Sequence, residues 1–344
     1  MEHKAVTLRK RRAALGLLMT VKLRDVAEKA GVSVSTVSNV LNGYTRSGIK
    51  QETCEKVRRV AEEMGYRPNA LARSLKVQRT NTIGFYTGYG HHDARDRFRA
   101  EIYTGILAGC DKYDFDLHIH GNLSGKSPDE IRMRLCDGRV DGIIVHASQD
   151  DPTVKCLIKS GLPAVAIADR HATMPSVTGS DEAGMQLLVE YLWSRGHRNM
   201  MYLELYDARE SISRRISAFR KAVGDLGGVS SVAPFPWDNA GEFLHGLLSR
   251  PDRPTALCAY NDDSAYILLR RAREAGIDFP GDFALVGYDG LLAGSAASRD
   301  LVTAGVPWDQ IASEAVRLLA KIIEGEPVPL LTCFPIHLIE GDTA

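Results

Sequence analysis

Between Val34 and Leu41 the polar side chains Ser35, Thr36, Ser38 and Asn39 alternate with the apolar Val37, Val40 and Leu41 at helical spacing. A helix of this kind buries one face and offers small hydrogen-bonding groups on the other. Those groups suit base edges and phosphates in the major groove of DNA. The elements that must position them lie just upstream. Leu23, Val26, Ala27 and Ala30 mark a preceding helix, Gly31-Val32-Ser33 breaks it, and Ser33 offers its hydroxyl as the next N-cap. Two short helices joined by a three-residue turn predict a helix-turn-helix. A third helix is expected from about Gln51 to Met64, burying Val57, Val60, Ala61 and Met64 and stopping at Gly65.

Charge agrees with that reading. The 344 residues carry no formal net charge, yet residues 1–80 hold 17 Lys and Arg against 7 Asp and Glu, and the remainder holds 26 against 36. A basic head attracts phosphates while an acidic body avoids them, which favours nucleic acid over a membrane surface as partner. A hydrophobic fraction of 44% with 25% charged residues is that of a globular protein, and the length calls for two or three domains. Six scattered cysteines, no signal-peptide pattern and no bilayer-length apolar run predict a cytoplasmic protein with reduced thiols and no membrane partner. Residues 1–20, with Lys4, Arg9, Lys10, Arg11 and Arg12, read as a basic extension: a disordered arm, or a misassigned start with Met19 as the true one.

From Asn81 onward short apolar runs alternate with helix-length segments. Ile83–Tyr86, Leu117–His120, Gly142–Val145 and Ala164–Ile167 form one series, and Met200–Leu203, Ala256–Ala259 and Ala284–Gly287 a second. This predicts two doubly wound α/β subdomains resembling the periplasmic-binding-protein type of core, with a ligand at the carboxyl ends of the strands. No G-x-S-x-G elbow, H-E-x-x-H helix or phosphate-binding G-x-x-x-x-G-K-[ST] loop occurs, so no enzyme is expected, although the fold class alone does not exclude one. A solute receptor on the same core would need a signal peptide. His118, His120, His91, His92 and Asp93 lack the remaining ligands of a recognisable metal site, and no cofactor is expected.

The head, with Glu52-Thr53, Val57, Ala61, Gly65-Tyr66, Pro68-Asn69, Ala72 and Leu75 beyond the helix-turn-helix, resembles the lactose/galactose repressor (LacI/GalR) family of bacterial transcription regulators. The likeness runs on to the C-terminus. It implies an α plus α/β fold: a helix-turn-helix head (21–67), a hinge helix and linker (68–80), and a periplasmic-binding-protein-like core (81–344). The core would divide into subdomains of about 81–178 with 304–334 and about 179–303 with 335–344.

The resemblance assigns base contacts to Val34, Ser35 and Asn39. Thr36, Ser38, Lys22, Arg24 and Asn42 fall to the DNA backbone. In the hinge it assigns Asn69, Ala72, Leu75 and Lys76, with Leu75 as a wedge that unstacks a base step at a cost of about a few kcal/mol. Two departures stand out. The Gly43–Gly48 loop is about two residues longer than usual, and Cys54 stands where the family often has Arg, removing one phosphate contact.

For a small-molecule effector the resemblance assigns Phe98, Asp169, Arg215, Trp237, Asn261 and Asp289, an aromatic and polar set suited to a sugar, and Arg99 beside Phe98 joins them as a further candidate. Arg99 departs from the family pattern and keeps a purine or another anionic metabolite open as the alternative. The expected partners are operator DNA, the effector, and a second copy in a homodimer or dimer of dimers.

Overall fold

The structure, a computed structural model, describes residues 21–42, 48–67, 74, 78–90, 96–120, 123, 125–205, 210–291 and 300–344. The chain divides into two compact units, residues 1–80 and 81–344.

The first unit holds α1 (Leu23–Ala30), α2 (Val34–Leu41) and α3 (Gln51–Glu63). Asp25 Oδ2 accepts the Lys22 N–H at 2.8 Å at the start of α1, and Gly31 ends it with φ +69. Ser33 caps α2 through its hydroxyl, which accepts the Thr36 N–H at 3.0 Å. Val26, Ala27, Ala30, Val37, Val40, Val57, Val60 and Ala61 form the core, and Cys54 joins them. Full burial of Val37 contributes about 1.5 to 3 kcal/mol. The longer loop falls on residues 43–47, and most of the hinge on 68–73 and 75–77, outside the described residues.

The second unit contains two six-stranded sheets. The first consists of β1 (Thr82–Thr87), β2 (Asp116–Ile119), β3 (Gly142–His146), β4 (Ala164–Ile167), β5 (Ser176–Gly179) and β11 (Leu331–Phe334), in the order β11-β5-β4-β3-β1-β2. The second consists of β6 (Asn199–Glu204), β7 (Val229–Pro234), β8 (Ala256–Ala259), β9 (Ala284–Asp289), β10 (Val302–Gly305) and β12 (His337–Ile339), in the order β12-β10-β9-β8-β6-β7. Both sheets are parallel except where β12 runs antiparallel to β10. Their strand orders repeat, so each has a switch point: between β1 and β3, and between β6 and β8.

The chain enters the second sheet after β5, returns for β11 and ends on β12. Periodicity found β1, β2, β3, β4, β6, β8 and β9 as apolar runs. It passed over β5 and β10, where Ser, Thr and Gly interrupt the apolar residues, and over the more exposed β7, β11 and β12.

Eight helices of the described residues complete this unit: α4 (Arg97–Tyr113), α5 (Pro128–Leu135), α6 (Pro152–Ser160), α7 (Asp181–Ser194), α8 (Glu210–Asp225), α9 (Ala240–Leu248), α10 (Asp262–Glu274) and α11 (Trp308–Ile323). α4 and α11 pack so closely that a Cβ at Gly105 would lie 2.0 Å from the Asp309 carbonyl oxygen. Only glycine fits there, and the contact seats the amino end of α11 against the middle of α4. No helix among the described residues is long and apolar enough to cross a membrane.

Candidate functional site

In the head, the packing of Val37 and Val40 decides which face of α2 is turned outward. Val34 is 45% exposed despite being apolar; Ser35 is exposed, and Thr36, Ser38 and Asn39 are half-buried. Two of the expected contacts are tied back into the helix. The Thr36 hydroxyl lies 2.8 Å from Ser33 Oγ, and Asn42 Nδ2 donates to the Ser38 carbonyl at 2.7 Å. Lys22 and Arg24 are exposed at the start of α1. Cys54 lies in the core, 4% exposed, where it reaches no phosphate. Asn69, Ala72, Leu75 and Lys76 lie outside the described residues.

In the body, the carboxyl ends of the strands converge from both sheets. On the first sheet Phe98, at the amino end of α4, packs on Trp308 at 4.8 Å and on His146 at 5.1 Å. Tyr89, two residues after β1, packs edge-on against the same His146 at 4.8 Å. Its hydroxyl donates to Asp169 Oδ2, and its carbonyl accepts from Arg99 Nη2 at 2.6 Å. Arg99 also lies 3.6 Å from Asp96. Asp169 is fully buried after β4, and the chain reaches it through Ala168 at φ +68, a left-handed conformation uncommon outside glycine.

On the second sheet Arg215 of α8 is the hub. Its guanidinium lies over the Tyr288 ring at 3.7 Å. It donates to Asp181 at 2.8 Å and to the Tyr260 carbonyl at 3.1 Å, and it lies 3.6 Å from Asp289. Asp289 closes β9 at φ +113. Trp237, 44% exposed, stacks edge-on with Phe235 at 4.6 Å and lies 6.3 Å from Tyr260. Asn261 follows Tyr260, but its Oδ1 caps α10 by accepting the Ser264 N–H at 2.9 Å.

Contacts between the two sheets' sides bring these sets together. Asp169 Oδ1 accepts the Ser211 N–H at 3.2 Å, satisfying an amino-terminal amide of α8. In return the Arg170 N–H donates to Glu210 at 3.1 Å. Arg170 also forms a two-pronged pair with Glu182 at 2.8 and 2.9 Å. Arg214 donates to the Ala168 carbonyl at 3.1 Å and to Asp181.

Burial opposes ionisation of Asp181, yet the Arg215 and Arg214 guanidiniums outweigh it and hold the carboxyl below the usual carboxylate range. Burial dominates at Asp289 and pushes its carboxyl well above that range. Asp262, whose oxygens accept from the Thr303 hydroxyl at 2.5 Å and the Leu291 N–H at 2.7 Å, is pushed up to about 7 by burial.

The sequence reading missed Tyr89, His146, Asp181 and Trp308. Asp181 and Trp308 each stand at a helix start just beyond a strand, a position that local pattern assigns to capping. Trp308 is 4% exposed, and its indole N–H has no acceptor among the described residues. The described residues hold no group of three or more His, Cys, Asp or Glu arranged to bind a metal ion.

The model of the bacterial regulatory proteins of the lacI family matches residues 22–69, and that of the periplasmic binding protein-like domain matches residues 189–344. The HTH-type transcriptional repressor PurR of Vibrio atlanticus (strain LGP32) is 30% identical over 323 residues, which cover 88% of this chain and 92% of that one. Catabolite control protein A of Priestia megaterium is 29% identical over 332 residues, covering 90% and 95%. The solved Lac repressor dimer bound to operator and the anti-inducer ONPF superposes with a TM-score of 0.80 at 24% identity, covering 94% of this chain and 99% of that one. The transcriptional regulator CelR in complex with cellobiose superposes with a TM-score of 0.67 at 25% identity, covering 94% and 100%.

Proposed function

This chain belongs to the lacI family of bacterial regulatory proteins, and we propose on that premise that it represses transcription under the control of a sugar or sugar derivative. Two copies hold a pseudo-palindromic operator through their heads and hinge segments, and the body senses the effector. The observation that carries the DNA-binding part is α2: capped by Ser33, it turns Val34 and Ser35 outward from a head rich in Lys and Arg. Val34 suits a thymine methyl, and Asn39 an adenine edge.

Support for a sugar comes from the second unit. Trp237, Tyr260, Phe98 and Trp308 supply apolar faces, and Asp289 supplies an acceptor for hydroxyls. The buried Trp308 indole N–H offers a donor that a bound hydroxyl oxygen satisfies. The similar regulator CelR has been solved with cellobiose. An anionic effector draws less from the site, because Arg99 already meets Asp96 and the Tyr89 carbonyl.

We read the body as a binding module and not an enzyme. Its buried carboxylates are engaged structurally, Asp181 by two guanidiniums and Asp169 by Tyr89 and Ser211. The protein acts in the cytoplasm at the nucleoid.

The test is selection of bound DNA from a random-sequence pool with the intact protein, followed by release of the selected duplex by sugars, sugar phosphates and purines. A two-fold related site whose binding responds to a sugar is expected. No enriched sequence would remove the regulator reading, and a response to purines alone would replace the sugar.

A further inference from the structure

We propose that Tyr89 is a positioning residue of the body's cleft, setting the orientation of Asp169 and Arg99 before any effector arrives; the inference rests on reading that cleft as the effector site. Tyr89 is anchored at three points. Its N–H donates to Thr87 Oγ1 at 3.2 Å, its carbonyl accepts from Arg99 Nη2 at 2.6 Å, and its hydroxyl donates to Asp169 Oδ2. The ring rests edge-on against His146.

The flanking glycines permit this placement. A Cβ at Gly88 would lie 2.5 Å from Asp151 Oδ2 and 2.9 Å from the Ala147 Cβ, and Gly90 takes φ +79. The backbone therefore passes closely enough to its neighbours for the phenol to reach Asp169, 80 residues further along the chain.

The consequence lies in how Asp169 is satisfied. A fully buried carboxylate needs donors on both oxygens. One is the Tyr89 hydroxyl, and the other is the Ser211 N–H at the amino end of α8. Loss of the hydroxyl leaves Oδ2 short of a donor inside the protein, and the carboxylate reorients and loosens its hold on Ser211. Because Arg99 is turned onto the Tyr89 carbonyl, the same residue directs a guanidinium away from a ligand anion. With that guanidinium engaged, the arrangement favours a neutral effector over an anionic one.

The experiment needs no effector, so a fruitless ligand screen and a failure of this inference are separate results. Hydrogen exchange is followed by mass spectrometry on the intact protein, on Tyr89→Phe and on Asp169→Ala, comparing the peptide containing Ser211 with peptides from β8 and β9. Tyr89→Phe should speed exchange at Ser211 by about threefold or more, toward the rate in Asp169→Ala, and leave β8 and β9 as in the parent. An unchanged Ser211 rate in Tyr89→Phe overturns the inference, as does a uniform rise across all peptides, the mark of a merely structural residue. If Asp169→Ala itself leaves Ser211 unaffected, the carboxylate does not hold that amide and the inference also falls.

Discussion

Arg215 and Asp181 form a buried ion pair, Nε to Oδ1 at 2.8 Å, in which both side chains are less than a tenth exposed. Asp181 simultaneously holds Arg214 at 2.5 Å and accepts the Tyr288 hydroxyl at 3.0 Å. One carboxylate at the start of α7 therefore fixes two guanidiniums of α8 and a ring of β9. Arg215, read from the sequence as an effector contact, is also a structural member of this network.

Asp181→Ala should cost the folded body about 3 to 5 kcal/mol, because it leaves buried guanidiniums short of their main counter-charge. Chemical denaturation monitored at the body's tryptophans measures it. A loss below about 1 kcal/mol would mean that Glu210 and Asp289 take over the charge.

Asp262 sets a pH dependence with a definite sign. Its carboxyl titrates near 7 in the folded protein against an ordinary value of 3.8. The folded state therefore holds the proton more tightly between those values, and stability falls as pH rises from about 4 through 7. Asp262→Asn should lessen that fall, as read from denaturation midpoints at pH 4.5 and 8. A variant whose midpoints track the parent's at both values would show that Asp262 titrates normally.

Ser33→Ala removes the side-chain acceptor of the Thr36 N–H and should destabilise the head by about 1 kcal/mol. Operator affinity should fall with it, because α2 loses its first turn before any base-facing residue is altered. Helicity and DNA binding measured on the same intact variant check this; weaker binding by a head of undiminished stability would instead make Ser33 a direct contact.

Asn39→Ala should relax base preference at one operator position by about 1 to 3 kcal/mol while other positions keep theirs. Binding to a set of single-substitution operators distinguishes the cases. A uniform loss across the set would assign Asn39 to a phosphate.

Trp237→Ala probes the effector side with little effect on folding, since the ring is 44% exposed and rests on Phe235. Sugar-dependent release of operator should weaken about tenfold or more, with operator affinity in the absence of sugar unchanged. Full retention of the sugar response would remove Trp237 from the pocket.

Local pattern in the chain determined the head and the scaffold. The Ser33 cap, the Gly31 stop and the spacing of Val37, Val40 and Leu41 act within one or two helical turns, so α1 and α2 were legible residue by residue. The long buried strands were legible for the same reason, as runs such as Gly142–Val145 have no exposed face to interrupt them. Tertiary structure alone decided the wiring of the cleft. Tyr89 meets Asp169 across 80 residues of sequence and Asp181 meets Tyr288 across 107. Nothing in the neighbourhood of either residue encodes such a partner. A polar side chain's role when buried depends on which donors and acceptors the folded chain brings to it. Asn261 was placed at the right strand end, yet its side-chain oxygen caps a helix, and Arg99 was placed at the cleft, yet its charge is turned onto the chain's own Tyr89.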